Sequence, residues 1–283
     1  MTSGPAGPAE RRLREVATGW DLRVDGAFAD GGRPALPVRT AEGQAALLEH
    51  APDGSMHEHL ALRAWDARGA VRLLRADPRR HLLLTERTEP AVDAARQDPY
   101  EACTGVGALY AVLHRDPIPQ PPRLVDLAAA WVADLDRPGV AATVPRRFVE
   151  QVRAWTPGLV DPREARPVLL HGDLRPLTVR TAADGRRVAV APRPLVGDPA
   201  YEVASVLGRW EGATESQDLR GDLLERFYAV VDAAGLDEDR ARAWVVVRGM
   251  VNVLWAVEDA DRGLPLDAAG LTRQTTMIKA MIP

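Results

Sequence analysis

The pattern of secondary-structure signals changes along this chain, and that change constrains the fold more than any other feature. Before residue 90, short apolar runs of strand length are separated by turn-forming glycines, which predicts a small antiparallel sheet. A helix over residues 55–66 is predicted to pack on this sheet. From residue 99 onward the apolar spacing is mainly helical, with proline-rich joints. The sequence therefore predicts an α+β protein.

The individual elements follow from the same spacing. The first part is predicted to hold a helix at residues 10–19 and strands at residues 22–24, 35–40, 45–48, 70–75 and 81–86. The second part is predicted to hold helices at residues 100–114, 123–135, 146–155, 200–209, 219–234 and 240–259. A strand at residues 168–170 is expected there too, with a hairpin partner at residues 186–191 across Asp184-Gly185.

Composition excludes several classes of function. The chain has 283 residues, 46% of them hydrophobic, and a net charge of -4, so a sizeable core is expected, as one large domain or two lobes, and a nucleic-acid partner is not. The single cysteine, Cys103, cannot form an intrachain disulfide and is expected to be a core residue. We find no apolar run of membrane-spanning length, so we expect a cytoplasmic protein without a membrane partner.

Almost all basic residues are arginines, and Lys279 is the only lysine. Chemistry that needs a lysine in the first half of the chain therefore has no residue to perform it.

The strongest chemical motif begins after the strand at residues 168–170, where His171-Gly172-Asp173-Leu174 is followed by Thr178. Other short motifs accompany it in a fixed order: Trp20-Asp21-Leu22, Pro37-Val38-Arg39-Thr40, Leu60-Ala61-Leu62-Arg63-Ala64-Trp65, Gly69-Ala70-Val71-Arg72-Leu73-Leu74, Leu195-Val196-Gly197-Asp198-Pro199-Ala200-Tyr201 and Leu254-Trp255-Ala256-Val257-Glu258-Asp259. With these motifs the chain resembles, over nearly its whole length, the bacterial aminoglycoside and hydroxyurea antibiotic-resistance kinases, most closely the streptomycin kinases.

The resemblance implies a protein-kinase-like fold of two lobes, residues 1–88 and residues 89–283. It also implies that ATP binds between the lobes and that a small antibiotic is phosphorylated against the C-terminal lobe. Asp173 matches the catalytic base that deprotonates the acceptor hydroxyl. His171 and Asp198 are expected to be structural, since the residue that matches Asp198 braces the catalytic loop in the family.

Three positions depart from the family pattern. Thr178 replaces the Asn that binds magnesium, Ala191 replaces the metal-bridging Asp, and Glu49 stands where the phosphate-binding Lys is expected. Alanine has no ligand atom, and a threonine hydroxyl is a poor magnesium ligand. Glu58 matches the helix Glu that pairs with that Lys, and without the lysine it is expected to be solvated or structural.

Other candidates for phosphate or substrate contact are weaker. Gly31 and Gly32 lie where the phosphate-covering loop is expected, although a plain hairpin turn explains them equally well. Arg33, Arg175 and Arg193 could bind phosphate without a metal, and solvated arginine side chains are the alternative interpretation. An acidic cluster in this chain matches the region where the family's carboxylates bind cationic antibiotics, and a solvated helix end is the alternative interpretation. The cluster consists of Glu258, Asp259 and Asp261.

Three functions remain open from the sequence. The leading hypothesis is a pseudokinase of the antibiotic phosphotransferase family that needs no cofactor and binds a small molecule or a protein partner between its lobes. The second is a working small-molecule O-phosphotransferase that uses Mg-ATP. The third is a repurposed enzyme in which Asp173 is a general base for another reaction.

Overall fold

The computed structural model describes residues 7–30, 33–51, 56–90, 98–207 and 218–282, which belong to two compact units. Unit 1 comprises Met1–Ala91 and Leu177–Arg193, and unit 2 comprises Val92–Pro176 and Pro194–Pro283. The predicted boundary at residue 88 lies close to residue 91, where the first chain segment of unit 1 ends. The return of the chain to unit 1 at Leu177–Arg193 is not evident from the sequence.

In chain order the elements are α1 (Pro8–Gly19), β1 (Arg23–Val24), β2 (Ala35–Arg39), β3 (Ala45–His50), α2 (Glu58–Trp65), β4 (Leu73–Asp77), β5 (Leu82–Glu86), β6 (Thr88–Pro90), α3 (Pro99–Leu113), α4 (Leu124–Asp134), α5 (Pro138–Thr143), α6 (Arg146–Leu159), β7 (Val168–Leu170), β8 (Val179–Ala182), β9 (Arg187–Ala189), β10 (Leu195–Gly197), α7 (Val203–Leu207), α8 (Leu219–Ala234), α9 (Glu238–Asp261) and α10 (Ala268–Met281). The α+β class is confirmed. Elements that the sequence did not predict are β6, α5, β8, β10 and α10.

Unit 1 is built on a five-stranded antiparallel sheet with the strand order β1-β2-β3-β5-β4. Helix α1 covers part of it, because its apolar residues fall on one face and pack against apolar residues of β2, β3 and β5. Pro8 stands in the first turn of this helix, where its missing N–H group costs nothing. This packing forms one core of unit 1.

A second sheet of unit 1 has the order β6-β8-β9 and joins the two separate chain segments of the unit. Gly185, with φ +85°, makes the turn between β8 and β9. The strand expected at residues 186–191 is therefore present as β9, but its partner is β8, whereas β7 pairs with β10 in unit 2. The turn was predicted correctly and the strand partner was not.

Unit 2 is mainly helical. Helix α9 carries a run of buried residues, among them Trp244 and Met250, and it packs against α6 and α10. Helix α3 packs on α8. A Cβ atom at Gly107 would lie 2.7 Å from the Val230 backbone oxygen, so this contact leaves no room for a side chain. None of the helices that the structure describes combines the length and apolar composition needed to cross a membrane.

Candidate functional site

The loop that carries Asp173 leaves unit 2 strand β7, which pairs antiparallel with β10. Gly172 has φ +84°, a conformation that favours glycine, and this turns the chain directly before Asp173. His171 is fully buried, and its Nδ1 accepts a hydrogen bond of 3.3 Å from the Asp173 backbone N–H. His171 thus contacts the loop from inside the protein.

A buried carboxylate, Glu202, holds this loop in place. Its Oε2 accepts a hydrogen bond of 3.1 Å from the His171 backbone N–H, and its Oε1 accepts one of 2.6 Å from the Gly172 backbone N–H. The His114 Nε2 lies 3.0 Å from Oε2 as well. Because Glu202 is completely buried, these partners replace the water that an exposed carboxylate would bind.

Tyr110 supports the same region. Its hydroxyl lies 3.0 Å from the backbone oxygens of both Leu174 and Glu202. Burial, and then the charge of Glu202, raise the pKa of Tyr110 well above its ordinary value, so the hydroxyl keeps its proton and remains a donor. Glu202 was not predicted as a site residue, although a carboxylate among the mainly apolar residues 201–207 is a signal that could have revealed it.

The contacts of Asp198 differ from those expected of a brace for the catalytic loop. Its Oδ2 accepts hydrogen bonds from the Arg240 side chain, at 2.9 and 2.7 Å, and from the Trp244 Nε1, at 2.7 Å. Its Oδ1 accepts one of 2.9 Å from the Ala200 backbone N–H. Asp198 therefore ties the segment before α7 to helix α9, whereas Glu202 contacts the Asp173 loop.

Arg175 lies beside Asp173. Its Nε is 3.5 Å from Asp173 Oδ1, and both side chains are mostly buried. A guanidinium at this distance attracts a carboxylate by opposite charge. Arg175 is thus placed to orient Asp173, and it is less available for a nucleotide phosphate than an unpaired arginine would be.

The two positions that would bind metal in the family are neighbours in unit 1. The Val190 backbone N–H donates a hydrogen bond of 2.9 Å to the Thr178 backbone oxygen, which places Thr178 beside the residue that precedes Ala191. Their side chains offer one hydroxyl and one methyl group. In the described part of the chain, no three or more His, Cys, Asp or Glu side chains lie close enough together to hold a metal ion. The donor set at Thr178 and Ala191 does not fit magnesium.

Glu49 forms an ion pair with an arginine that lies just before strand β2. Strand β3 pairs with β2 so that Glu49 stands opposite Ala35, and the His50 N–H donates to the Pro34 oxygen. This register brings Arg33 to Glu49, with 3.0 Å between Arg33 Nε and Glu49 Oε1.

Glu58 binds the same arginine from helix α2. Its two carboxylate oxygens accept hydrogen bonds of 2.9 and 2.8 Å from Arg33 Nη1 and Nη2. Glu58 is buried, so the solvated interpretation is corrected, and its partner is an arginine instead of the missing lysine. We call Arg33, Glu49 and Glu58 the arginine triad.

Burial shifts the ionisation of the triad. Burial raises the pKa of Glu58 to about 7; Arg33 opposes this shift, and the charge of Glu49 adds to it. For Arg33, burial opposes the charged form, but Glu49 and Glu58 outweigh it and raise the guanidinium pKa. Arg33 therefore stays charged, and Glu58 titrates near neutral pH.

This shift predicts a pH-dependent stability. The pKa of Glu58 is about 7 in the folded protein and 4.5 in its ordinary state, so between these values the folded state binds the proton more tightly than the unfolded state. The contribution of protonated Glu58 to the free energy of unfolding is complete below about pH 4.5. It is lost as pH rises through about 7, by up to ~1.4 kcal/mol per pH unit. Urea unfolding of wild type and Glu58→Gln across this range measures it. The prediction fails if the difference between the two proteins does not change with pH.

The remaining candidates are less well placed. Gly31 and Gly32 lie outside the described residues, and Arg193 is exposed. Glu258 pairs with Arg137 at 3.1 Å, Asp259 pairs with Arg262 at 3.4 Å, and Asp261 is exposed. Burial raises the pKa of the Cys103 thiol to about 12, so this cysteine is not a nucleophile.

Comparisons with known proteins identify the family of this chain. The family described as aminoglycoside/hydroxyurea antibiotic resistance kinase matches residues 20–260. A streptomycin 6-kinase of Streptomyces glaucescens is 32% identical over 92% of this chain and 86% of its own length. A hydroxyurea phosphotransferase of Kitasatospora aureofaciens is 35% identical over 90% of this chain and 75% of its own length.

Solved structures establish the fold. A macrolide 2'-phosphotransferase from Brachybacterium faecium has a TM-score of 0.61 at 16% identity and covers 96% of this chain and 97% of its own. A choline kinase from Streptococcus pneumoniae has a TM-score of 0.59 at 10% identity, with 96% and 97% covered. The protein-kinase-like fold is confirmed, and the chain belongs to the aminoglycoside/hydroxyurea antibiotic resistance kinase family.

Proposed function

We propose that this family member is a pseudokinase, which does not use Mg-ATP as an ordinary kinase does and instead binds a small molecule or a protein partner in the cytoplasm. The observation that carries the proposal is the chemistry of unit 1. Thr178 and Ala191 offer no carboxylate for a cation, and Glu49, which pairs with Arg33, stands where a cation for phosphate is expected. No cofactor and no nucleic acid are part of the proposal.

The size of the expected loss supports this interpretation. Loss of one group that neutralises transition-state charge in phosphoryl transfer costs roughly 10³- to 10⁵-fold in rate, which is about 4–7 kcal/mol of barrier. Losses at three positions are not additive when the groups act as a unit. One such loss already makes turnover with Mg-ATP marginal.

Calorimetric titration of the wild-type protein with ATP tests the proposal. We expect no magnesium-dependent heat, because the residues that would coordinate the cation have been replaced. The same titration in EDTA is the control. A micromolar binding signal that requires magnesium would overturn the proposal.

A second candidate, a working small-molecule O-phosphotransferase, is favoured by the support that Glu202 gives to the Asp173 loop. Relatives of this chain include a streptomycin 6-kinase and a hydroxyurea phosphotransferase, so these two antibiotics are the first acceptors to test. Transfer from radiolabelled ATP that exceeds an Asp173→Ala control would establish this candidate. Equal signals in the two proteins would remove it.

A further inference from the structure

The arginine triad places a carboxylate beside each of two edges of one guanidinium. A guanidinium can hold a carboxylate or a phosphate through its Nη1/Nη2 edge or through its Nε/Nη2 edge. Glu58 occupies the first edge, with two bonds of 2.9 and 2.8 Å. Glu49 Oε1 lies 3.0 Å from Nε, beside the second edge, as an ion pair, and Nε makes no hydrogen bond there. A carboxylate charge therefore stands beside the edge that a further oxyanion would use.

The two carboxylates differ in their access to solvent. The Glu58 side chain is 2% exposed, whereas the side chains of Glu49 and Arg33 are 17% and 19% exposed. An anion from solution would therefore reach the guanidinium on the Glu49 side. Glu58 would keep Arg33 in place from the interior, because its bidentate pair does not use that edge.

We propose that Arg33 is a latent phosphate-binding residue, and that the Glu49 carboxylate beside Nε blocks its Nε/Nη2 edge. The ligand class is a polyphosphate anion, which would bind this edge through two oxygens of one phosphate group. The contact is autoinhibitory, because the negative charge of Glu49 repels a phosphate from this edge. Guanidinium binds phosphate without a metal, so the proposal does not require magnesium.

Removing the Glu49 charge tests this. We expect Glu49→Gln to bind inorganic triphosphate in EDTA at least tenfold more tightly than wild type, measured by calorimetric titration of the full chain. Glu49→Ala is a second variant with the same expectation. Because the charge of Glu49 contributes to raising the pKa of Glu58, removing Glu49 favours the ionised Glu58 that pairs with Arg33. We therefore expect both variants to fold, with circular dichroism as the check.

Two controls make the result specific. The double variant Arg33→Gln/Glu49→Gln should return to the wild-type affinity, because the binding cation is then absent. Glu89→Gln removes an exposed carboxylate of the same unit and should leave the affinity unchanged. An unchanged affinity in both Glu49 variants overturns the proposal, and so does a gain that persists in the double variant.

The inference rests on the proposed function in one respect, that the wild-type protein binds nucleotide weakly. The two can fail separately. Tight, magnesium-dependent ATP binding by wild type would overturn the proposed function. Failure of the Glu49 variants to gain triphosphate affinity would overturn only the role of Arg33.

Discussion

Replacing Glu202 by alanine should lower the free energy of unfolding by about 3–5 kcal/mol, because a buried charged partner is removed and the groups that it binds remain. The backbone N–H groups of His171 and Gly172 both donate to this carboxylate. Without it they stay buried with no acceptor, and the space of the side chain adds the cost of a cavity. Urea denaturation measures the loss.

Glu225→Ala is a matched control, since Glu225 is an exposed residue of helix α8, and its replacement should change stability by less than about 0.5 kcal/mol. Hydrogen exchange adds a local measurement. The amides of His171 and Gly172 should lose protection in Glu202→Gln, because the glutamine amide nitrogen cannot accept a hydrogen bond from one of them. A loss of less than about 1 kcal/mol in Glu202→Ala would show that this carboxylate does not hold the loop.

Asp198→Ala should cost a similar amount, about 3–5 kcal/mol, since four hydrogen bonds converge on this nearly buried carboxylate. The informative variant is Asp198→Asn. Arg240 and Trp244 both donate to the same oxygen, Oδ2. An asparagine keeps the shape but loses the negative charge that balances the guanidinium, so it should restore less than half of the stability lost in the alanine variant.

Asp239→Asn is the control for this experiment, because Asp239 is exposed in the first turn of α9; it should cost no more than about 1 kcal/mol. Thermal and urea unfolding of the three variants give the comparison. If Asp198→Asn is as stable as wild type, the charge of Asp198 contributes nothing and the pair with Arg240 is not what stabilises this segment.

Local sequence signals were sufficient for most of the elements and for the family. The glycine turns and the apolar spacing predicted most helices and strands, and the motif around Asp173 predicted the family. The departures at Thr178 and Ala191 could also be recognised in the sequence, because a missing ligand atom is a property of the residue itself.

Contacts between distant segments could not be predicted in the same way. Arg33 meets Glu58 only because the β2–β3 register and the position of helix α2 bring residues 25 apart in sequence together. Asp198 and Arg240 are 42 residues apart, and many arginines in this chain were equally plausible partners. Glu202 was overlooked because a carboxylate that binds backbone N–H groups leaves no matching basic residue in the sequence.

The discontinuous course of unit 1 has a consequence for the nascent chain. Strand β6 pairs with β8, and the Val71 N–H donates to the Ala189 oxygen, so the unit lacks these partners until its second segment has left the ribosome. At ~5–20 residues per second, synthesis of Val92–Pro176 takes on the order of ten seconds. During that interval the edge of β6 has no strand beside it and is open to chaperones or to aggregation. A fragment truncated at residue 91 would carry the same open edge permanently.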